Sequence, residues 1–166
     1  MTQTHRAILE FHAHDAEDLV ASDRDLVAQA VAAAGRAYAP YSRFQVGAAL
    51  RLADGRVVSG NNQENASFPA GICAERTALH AAMASDPKGR VEVMAIAVPS
   101  GDPGRPVTPC GICRQALVEQ EHRQGGAVRL LMTVPGGPVW EVKRCRDLLP
   151  LSFDASFLPG QGPEAP

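Results

Sequence analysis

The chain has 166 residues, 45% of them hydrophobic, which fits one globular domain with a sizeable core. Lys and Arg number 16 and Asp and Glu number 18, and the net charge of −2 leaves no excess positive charge to hold a phosphate backbone, so we expect no nucleic acid polymer as a partner. No apolar run approaches the length of a membrane span, so we expect no membrane partner. Residues 1–20 lack the features of a secretory signal, and we therefore expect a cytoplasmic protein with reduced thiols.

Hydrophobic periodicity and turn signals predict helices alternating with strands. Asp23 or Asp25 is the predicted N-cap of the first helix, and Pro40 lies beyond its end. Asp54-Gly55 is a hairpin turn signal. The predicted elements in chain order are a helix over 23–38, strands over 44–52 and 56–60, a loop over 61–71, a helix over 73–85, a strand over 91–98, a loop over 100–109, a helix over 110–122, strands over 127–134 and 139–142, and a helical turn over 146–149. This order predicts a sheet covered by helices.

Three cysteines lie at the starts of predicted helices. Cys73 opens one helix, and Cys110 and Cys113 open another with the three-residue spacing that puts both on one face. Unpaired amides at a helix N-terminus favour the thiolate form that a metal requires. Three protein ligands leave one tetrahedral position open, which is typical of a catalytic zinc site.

Two charged residues follow Cys73 closely. Glu75 is placed to take a proton from a zinc-activated water and deliver it to a substrate. Three thiolates on a divalent cation carry a net charge of −1, and Arg76 is a candidate hydrogen-bond donor to their sulfur atoms.

Five ordered blocks together resemble the small zinc-dependent cytidine deaminases. The blocks are Ala39-Pro-Tyr-Ser-Arg-Phe-Gln-Val-Gly-Ala-Ala-Leu50, Gly60-Asn-Asn-Gln-Glu-Asn-Ala-Ser67, Cys73-Ala-Glu-Arg76, Pro109-Cys-Gly-Ile-Cys-Arg-Gln115 and Leu148-Leu-Pro-Leu-Ser-Phe153. The resemblance spans roughly residues 26–153. It implies a three-layer α/β/α fold with a mixed five-stranded sheet. The expected deaminase domain spans 23–155 and follows an extension over 1–22 that the shortest family members lack. The polar, proline-rich sequence over 156–166 predicts a flexible tail.

The resemblance also implies an activity, hydrolytic deamination of cytidine and 2′-deoxycytidine in pyrimidine salvage. One Zn²⁺ per chain would be held by Cys73, Cys110 and Cys113, with Glu75 as the proton shuttle between water, N3 and the leaving amine. The implied substrate contacts are Asn62 and Glu64 to the sugar 3′-hydroxyl, Phe44 against the nucleoside, the Ala74 amide to the base carbonyl, and Phe153 stacked on the base. Phe153 would come from a neighbouring subunit, because family members of this length are usually homotetramers with shared active sites.

Three residues depart from the family pattern. Gln63 replaces the usual Val or Ile, Phe68 replaces a common Tyr, and Gln120 replaces a more usual apolar residue. The replacement at position 68 means that the family contact of the Tyr hydroxyl near an adjoining subunit is not expected here. The sequence leaves open the preference between ribose and deoxyribose, the choice between dimer and tetramer, and the choice between zinc and iron.

Each candidate residue also has a simpler interpretation. The Cys110–Cys113 pair alone is compatible with a redox dithiol or half of a structural zinc site, and Cys145 is a candidate fourth ligand or a buried small hydrophobe. Glu75 and Arg76 alone would be solvated helix residues. Without the resemblance, Phe44 and Phe153 would be core aromatics, and Asn62 and Glu64 turn residues.

Four other functions are also compatible with the sequence. They are a deaminase of the same fold acting on another aminated base such as blasticidin S, a polynucleotide deaminase, a non-enzymatic zinc module, and a nucleoside-binding protein without turnover. The acidic net charge disfavours the polynucleotide, and Glu75 disfavours the last.

Overall fold

The computed structural model describes residues 2–158 as one sheet covered by helices on both faces. The part of the expected tail that spans 159–166 lies outside the described residues. The helices and strands, numbered in chain order, are β1 (His12–His14), α1 (Ala21–Ala34), β2 (Gly47–Leu52), β3 (Val57–Asn61), α2 (Ala74–Ser85), β4 (Val91–Ala97), α3 (Gly111–Gln124), β5 (Arg129–Thr133) and β6 (Val139–Val142). Within residues 2–158, no helix is both long and apolar enough to span a bilayer.

The sheet is mixed and has the strand order β1-β6-β5-β4-β2-β3. Strands β4 and β5 are parallel, and the other neighbouring pairs are antiparallel. Because α3 connects the two parallel strands, it crosses over one face of the sheet, as such a connection requires. The expected α/β class and mixed sheet are confirmed.

The expected number of five strands is wrong, since the described sheet has six. The sixth strand, β1, pairs with the edge strand β6, with Ala13 opposite Trp140. The Phe11 ring lies 5.0 Å from the Trp140 ring, and His14 Nε2 lies 2.9 Å from Glu141 Oε2. The segment His-Ala-His has no apolar alternation, so its pairing depends on contacts with residues far along the chain.

Two buried hydrophobic clusters lie on opposite faces of the sheet. Alternate residues of the central strand β4 point to opposite faces, with Ile96 in the cluster beneath α2 and α3 and Ala95 in the cluster beneath α1. This burial on both faces explains why the β4 sequence is almost continuously apolar. The three-layer arrangement places the starts of α2 and α3 on the same side of the sheet.

The first helix departs from the prediction at both ends. It begins at Ala21 after the N-cap Val20 and ends at Ala34, before Pro40 is reached. Asp23 is not a cap: it is 3% exposed and forms ion pairs with Arg51 on β2 and Arg129 on β5. The buried carboxylate therefore joins α1 to two strands.

Close backbone contacts hold α2 against the sheet. A Cβ atom built at Gly60 on β3 would lie 2.5 Å from the Ala78 nitrogen and 2.7 Å from the Ala74 oxygen. Only glycine permits this approach, so Gly60 sets the distance between β3 and the first turn of α2.

Candidate active site

Three cysteine sulfur atoms meet where α2 and α3 begin. Cys73 is the N-cap of α2 and Cys110 is the N-cap of α3, while Cys113 lies in the first turn of α3. Their Sγ atoms all lie within 4.8 Å of one another, and Cys73 Sγ lies 3.9 Å from Cys110 Sγ. The structure therefore brings together the three cysteines that the sequence analysis selected.

The thiols differ in exposure and in acidity. Cys113 is buried, Cys73 is half-buried and Cys110 is exposed. The hydrogen bond with Cys113, supported by Arg76 and Cys110, lowers the pKa of Cys73 to about 5 against the opposing effect of burial. The same contact with Cys73, together with burial, raises the pKa of the Cys113 thiol. The Cys73 thiolate therefore forms readily, whereas the Cys113 thiol ionises only when a cation offsets the added negative charge.

Glu75 lies in the first turn of α2, next to this cluster. It is 5% exposed, although glutamate is almost always solvated. Burial raises the pKa of the Glu75 carboxyl, and the negative charge of Cys73 raises it further. A buried acid beside a cluster of metal-ligand type is a candidate for a group that exchanges protons with a substrate.

Arg76 lies beside the sulfur atoms, where it contributes to the low pKa of Cys73. Its Nε atom is buried and has no hydrogen-bond partner among residues 2–158. A buried cationic group with a free donor is stabilised by neighbouring negative charge. This environment fits the role expected for Arg76, a donor that offsets the charge of several thiolates.

The three sulfur atoms fit a zinc ion. Zinc–thiolate bonds of about 2.3 Å in a tetrahedron place the sulfur atoms roughly 3.8 Å apart. The separation of 3.9 Å between Cys73 and Cys110 agrees with this spacing. A soft, all-thiolate donor set suits zinc, and iron also accepts it.

Cys145 is not a fourth member of the cluster. It is fully buried in the hydrophobic core beneath α3, and burial raises the pKa of its thiol. The closed four-cysteine site considered from the sequence therefore has no support among the described residues. The interpretation of Cys145 as a buried small hydrophobe is confirmed.

Arg114, which follows Cys113, fixes the start of α3. Its guanidinium donates to the Pro109 carbonyl at 2.8 Å, the Thr108 hydroxyl at 3.1 Å and the Leu148 carbonyl at 2.9 Å. Pro109 directly precedes Cys110, so these bonds hold the backbone on both sides of the Cys110–Cys113 pair. No local sequence pattern indicated these hydrogen bonds, apart from the position of Arg114 within the Pro109–Gln115 block.

A cavity of about 660 Å³ opens beside the cluster. This volume lies within the range of small-molecule sites. Four segments of the chain line the cavity: the turn after α1, the end of β3 with the loop that follows it, the start of α2 and the first turn of α3. The lining residues are Tyr41, Ser42, Asn62, Gln63, Glu64, Asn65, Phe68, Pro69, Gly71, Ile72, Cys73, Arg76 and Ile112.

Asn62 and Glu64 both lie on the cavity wall, as a pair of candidate ligand contacts should. The Asn62 amide accepts from the Val46 N–H at 2.8 Å and donates to the Phe44 carbonyl at 2.9 Å. One N–H of that amide remains for a ligand. Glu64 accepts from Tyr41 N–H at 2.8 Å, from Ser42 N–H at 3.2 Å and from the Ser42 hydroxyl.

The other three expected substrate contacts lie outside this cavity wall. Phe44 precedes β2 and is 41% exposed, whereas Ala74 is fully buried at the start of α2. Phe153 is 58% exposed, and its ring stacks on Phe157 at 5.7 Å. Gln115 donates to the Phe153 carbonyl at 2.8 Å, which ties this segment to α3.

Sequence reasoning missed the apolar part of the wall. Ile72 and Ile112 flank the cysteines directly in the chain, so their positions beside predicted ligands were a signal for cavity residues. Tyr41 and Phe68 pack edge to face across the opening, with ring centroids 6.0 Å apart. The replacement of Tyr by Phe at position 68 therefore preserves an aromatic contact within the chain.

Known proteins are similar to this chain in both sequence and architecture. A family model described as the cytidine and deoxycytidylate deaminase zinc-binding region matches residues 20–125. The cytidine deaminase of Mycobacterium tuberculosis is 44% identical over 130 residues, covering 78% of this chain and 88% of that protein. The cytidine deaminase of Halalkalibacterium halodurans is 54% identical over 94 residues, covering 57% and 68% respectively. A crystal structure of cytidine deaminase from Burkholderia pseudomallei matches with a TM-score of 0.69 at 41% identity, covering 78% of this chain and 97% of that one.

Proposed function

The chain belongs to the cytidine and deoxycytidylate deaminase family, and we propose that it hydrolyses cytidine and 2′-deoxycytidine to uridine and 2′-deoxyuridine with release of ammonia. The observation that carries this proposal is the buried Glu75 carboxyl beside the cluster of Cys73, Cys110 and Cys113. The family's zinc-binding region covers this part of the chain. The reaction would serve pyrimidine salvage in the cytoplasm, where cysteine thiols stay reduced.

The three cysteines would hold one zinc ion, with Arg76 and the amides of two helix N-termini offsetting the thiolate charge. When bound, zinc supplies Lewis-acid activation that lowers the pKa of water and so provides a hydroxide nucleophile near neutral pH. The buried position of Glu75 supports its role in the proton transfers, because burial raises the pKa of this carboxyl, so that it holds a proton more readily than a solvated glutamate does.

Glu75 would move protons between three atoms. It takes a proton from the attacking water and gives it to N3 of the base, while a C–O bond forms at C4. It then takes the proton of the new C4 hydroxyl and passes it to N4, the C4–N4 bond breaks as the C4 carbonyl forms, and ammonia leaves. Water and cytidine are consumed, and uridine and ammonia are formed in equal amounts.

The remaining residues would bind and orient the nucleoside. Asn62 and Glu64, both on the cavity wall, would contact the 3′-hydroxyl. The Ala74 amide, at the start of α2, would donate to the base carbonyl. Phe44 would pack against the nucleoside from the turn that Asn62 holds.

Phe153 would stack on the base in a neighbouring subunit of a homotetramer. Support comes from the exposure of Phe153 and Phe157, since large aromatic side chains on a surface are typical of interfaces. Light scattering on the purified protein should then give four times the chain mass of 17.5 kDa. A monomer mass would contradict both the tetramer and the shared site.

The direct test is incubation of the purified protein with cytidine and 2′-deoxycytidine, with metal content measured on the same sample. We expect the ultraviolet change from cytidine to uridine and one ammonia per uridine. A sample with one metal ion per chain that produces no uridine would overturn the proposal. A panel that includes blasticidin S and a cytosine-containing oligonucleotide would identify a different aminated substrate.

A further inference from the structure

Ser42 forms a hydrogen-bonded bridge between two expected nucleoside contacts. Its hydroxyl donates to Glu64 Oε1 and accepts from the Phe44 N–H at 3.0 Å. Ser42 also lies on the wall of the cavity, next to Glu64. The serine therefore contacts the sugar side of the expected site without being one of its predicted ligands.

The hydrogen bonds of Glu64 show which of its oxygens is available to a ligand. Oε2 accepts from two backbone N–H groups, those of Tyr41 and Ser42. Within residues 2–158, Oε1 accepts only from the Ser42 hydroxyl. A carboxylate has about four acceptor positions, so the remaining one is on Oε1. The bond from Ser42 thus orients the oxygen that is free to accept a further donor.

These donors also favour the ionised form of the Glu64 carboxyl. The Ser42 hydroxyl, followed by the two backbone amides, holds the pKa of the Glu64 carboxyl below its usual value. An ionised carboxylate only accepts hydrogen bonds. Its free position therefore suits a hydroxyl donor and repels an anionic group.

The turn that carries Ser42 has an unusual backbone. Arg43 has a φ of 57°, in the left-handed region that residues other than glycine rarely adopt, and its N–H donates to the Ala39 carbonyl at 3.0 Å. This conformation directs the Ser42 hydroxyl and the Phe44 N–H toward each other. The turn is therefore held by specific bonds, which favours a role that needs a fixed geometry.

We propose that Ser42 is a positioning residue for the sugar: it aims Glu64 Oε1 at the 3′-hydroxyl of the bound nucleoside. This inference rests on the proposed function, since it requires that Glu64 binds that hydroxyl. If Ser42 acts in this way, its contribution to kcat/KM depends on a single hydroxyl group of the substrate. The effect must therefore be present with cytidine and 2′-deoxycytidine and absent with 3′-deoxycytidine.

The test compares wild type and Ser42→Ala on these three nucleosides. We expect kcat/KM of Ser42→Ala to fall about 3- to 10-fold with cytidine and 2′-deoxycytidine, the size of the net contribution of one typical hydrogen bond. With 3′-deoxycytidine, the change should stay within about twofold. Ser42→Thr keeps the hydroxyl and should restore the wild-type values, and Ser42→Ala should have no further effect in a Glu64→Gln background.

Ser85→Ala is the matched control, because Ser85 is an exposed serine at the far end of α2 whose hydroxyl, among the described residues, bonds only to the Ala81 carbonyl. It should match wild type on all three substrates. An equal loss on all three substrates for Ser42→Ala would contradict the proposal and assign the effect to the turn or to Phe44. No loss on any substrate would contradict it as well. Wild type that fails to deaminate cytidine would instead overturn the proposed function itself.

Discussion

The sulfur atoms of Cys73 and Cys110 lie 3.9 Å apart, although 37 positions separate the two residues in the chain. Each residue is the N-cap of its helix, and the two helices begin on the same side of the sheet. The site is thus built from two helix starts, whose free amides favour negative charge on the sulfur atoms.

Glu75→Gln should retain the metal and the fold but lose turnover by about 10²- to 10⁴-fold, because the amide cannot transfer a proton. Uridine formation and metal content on the same sample measure both properties. Glu119→Gln changes an exposed glutamate on α3 in the same way and should match wild type. Near-normal uridine production by Glu75→Gln would refute the role given to this carboxyl.

Cys110→Ala should lose the metal and stability together, because metal binding and folding are coupled. Elemental analysis gives the metal per chain, and urea denaturation gives the free energy of unfolding. Cys145→Ala removes a cysteine outside the cluster, so it should keep one metal per chain despite a cavity cost of about 1–2 kcal/mol. Metal retained by Cys110→Ala, or lost by Cys145→Ala, would contradict the assignment of the ligands.

Glu121→Gln should destabilise the protein by about 2–4 kcal/mol, since its buried carboxylate accepts from three backbone N–H groups. The donors are Val128 and Cys145, each at 2.8 Å, and Arg146 at 3.2 Å. An amide would place its own N–H groups against one of these donors. Urea denaturation should show the loss, whereas the exposed Glu119→Gln control should stay within about 0.5 kcal/mol; equal values for the two variants would contradict this role.

Gly60→Ala should cost about 1–3 kcal/mol and reduce both kcat/KM and metal affinity, because the new methyl group pushes the first turn of α2 away from β3. The control is Gly35→Ala at the end of α1. Gly35 has a helical φ of −62°, and its added Cβ would lie 3.6 Å from the Ala32 oxygen, an ordinary contact. Gly35→Ala should therefore be neutral or slightly stabilising. Wild-type metal affinity in Gly60→Ala would show that this glycine does not position the site.

Local sequence signals predicted the site better than they predicted the edges of the fold. Cys73, Cys110 and Cys113 were correctly placed at helix starts because helix formers follow them directly and loops precede them. The strand β4 was predicted within one residue, since its run of apolar residues is buried on both faces.

The missed features depend on contacts between distant residues. β1 forms because the backbone of His12–His14 pairs with β6, 127 positions away for the His14–Glu141 contact. Asp23 has the sequence signature of an N-cap, but it is buried and forms ion pairs with two arginines, one on β2 and one on β5. The bridge from Ser42 to Glu64 joins a turn to a loop 22 positions later, and no local pattern indicates it.

The most direct test of the account is a titration of metal-free protein with zinc while cytidine deamination is followed. The protein is prepared by chelation under reducing conditions, and ammonia release is measured at each step. We expect negligible turnover without metal, a linear rise to one zinc per chain and a plateau beyond it. Full activity in the metal-free protein, or no recovery at one zinc per chain, would contradict the claim that Cys73, Cys110 and Cys113 hold the metal with which Glu75 acts.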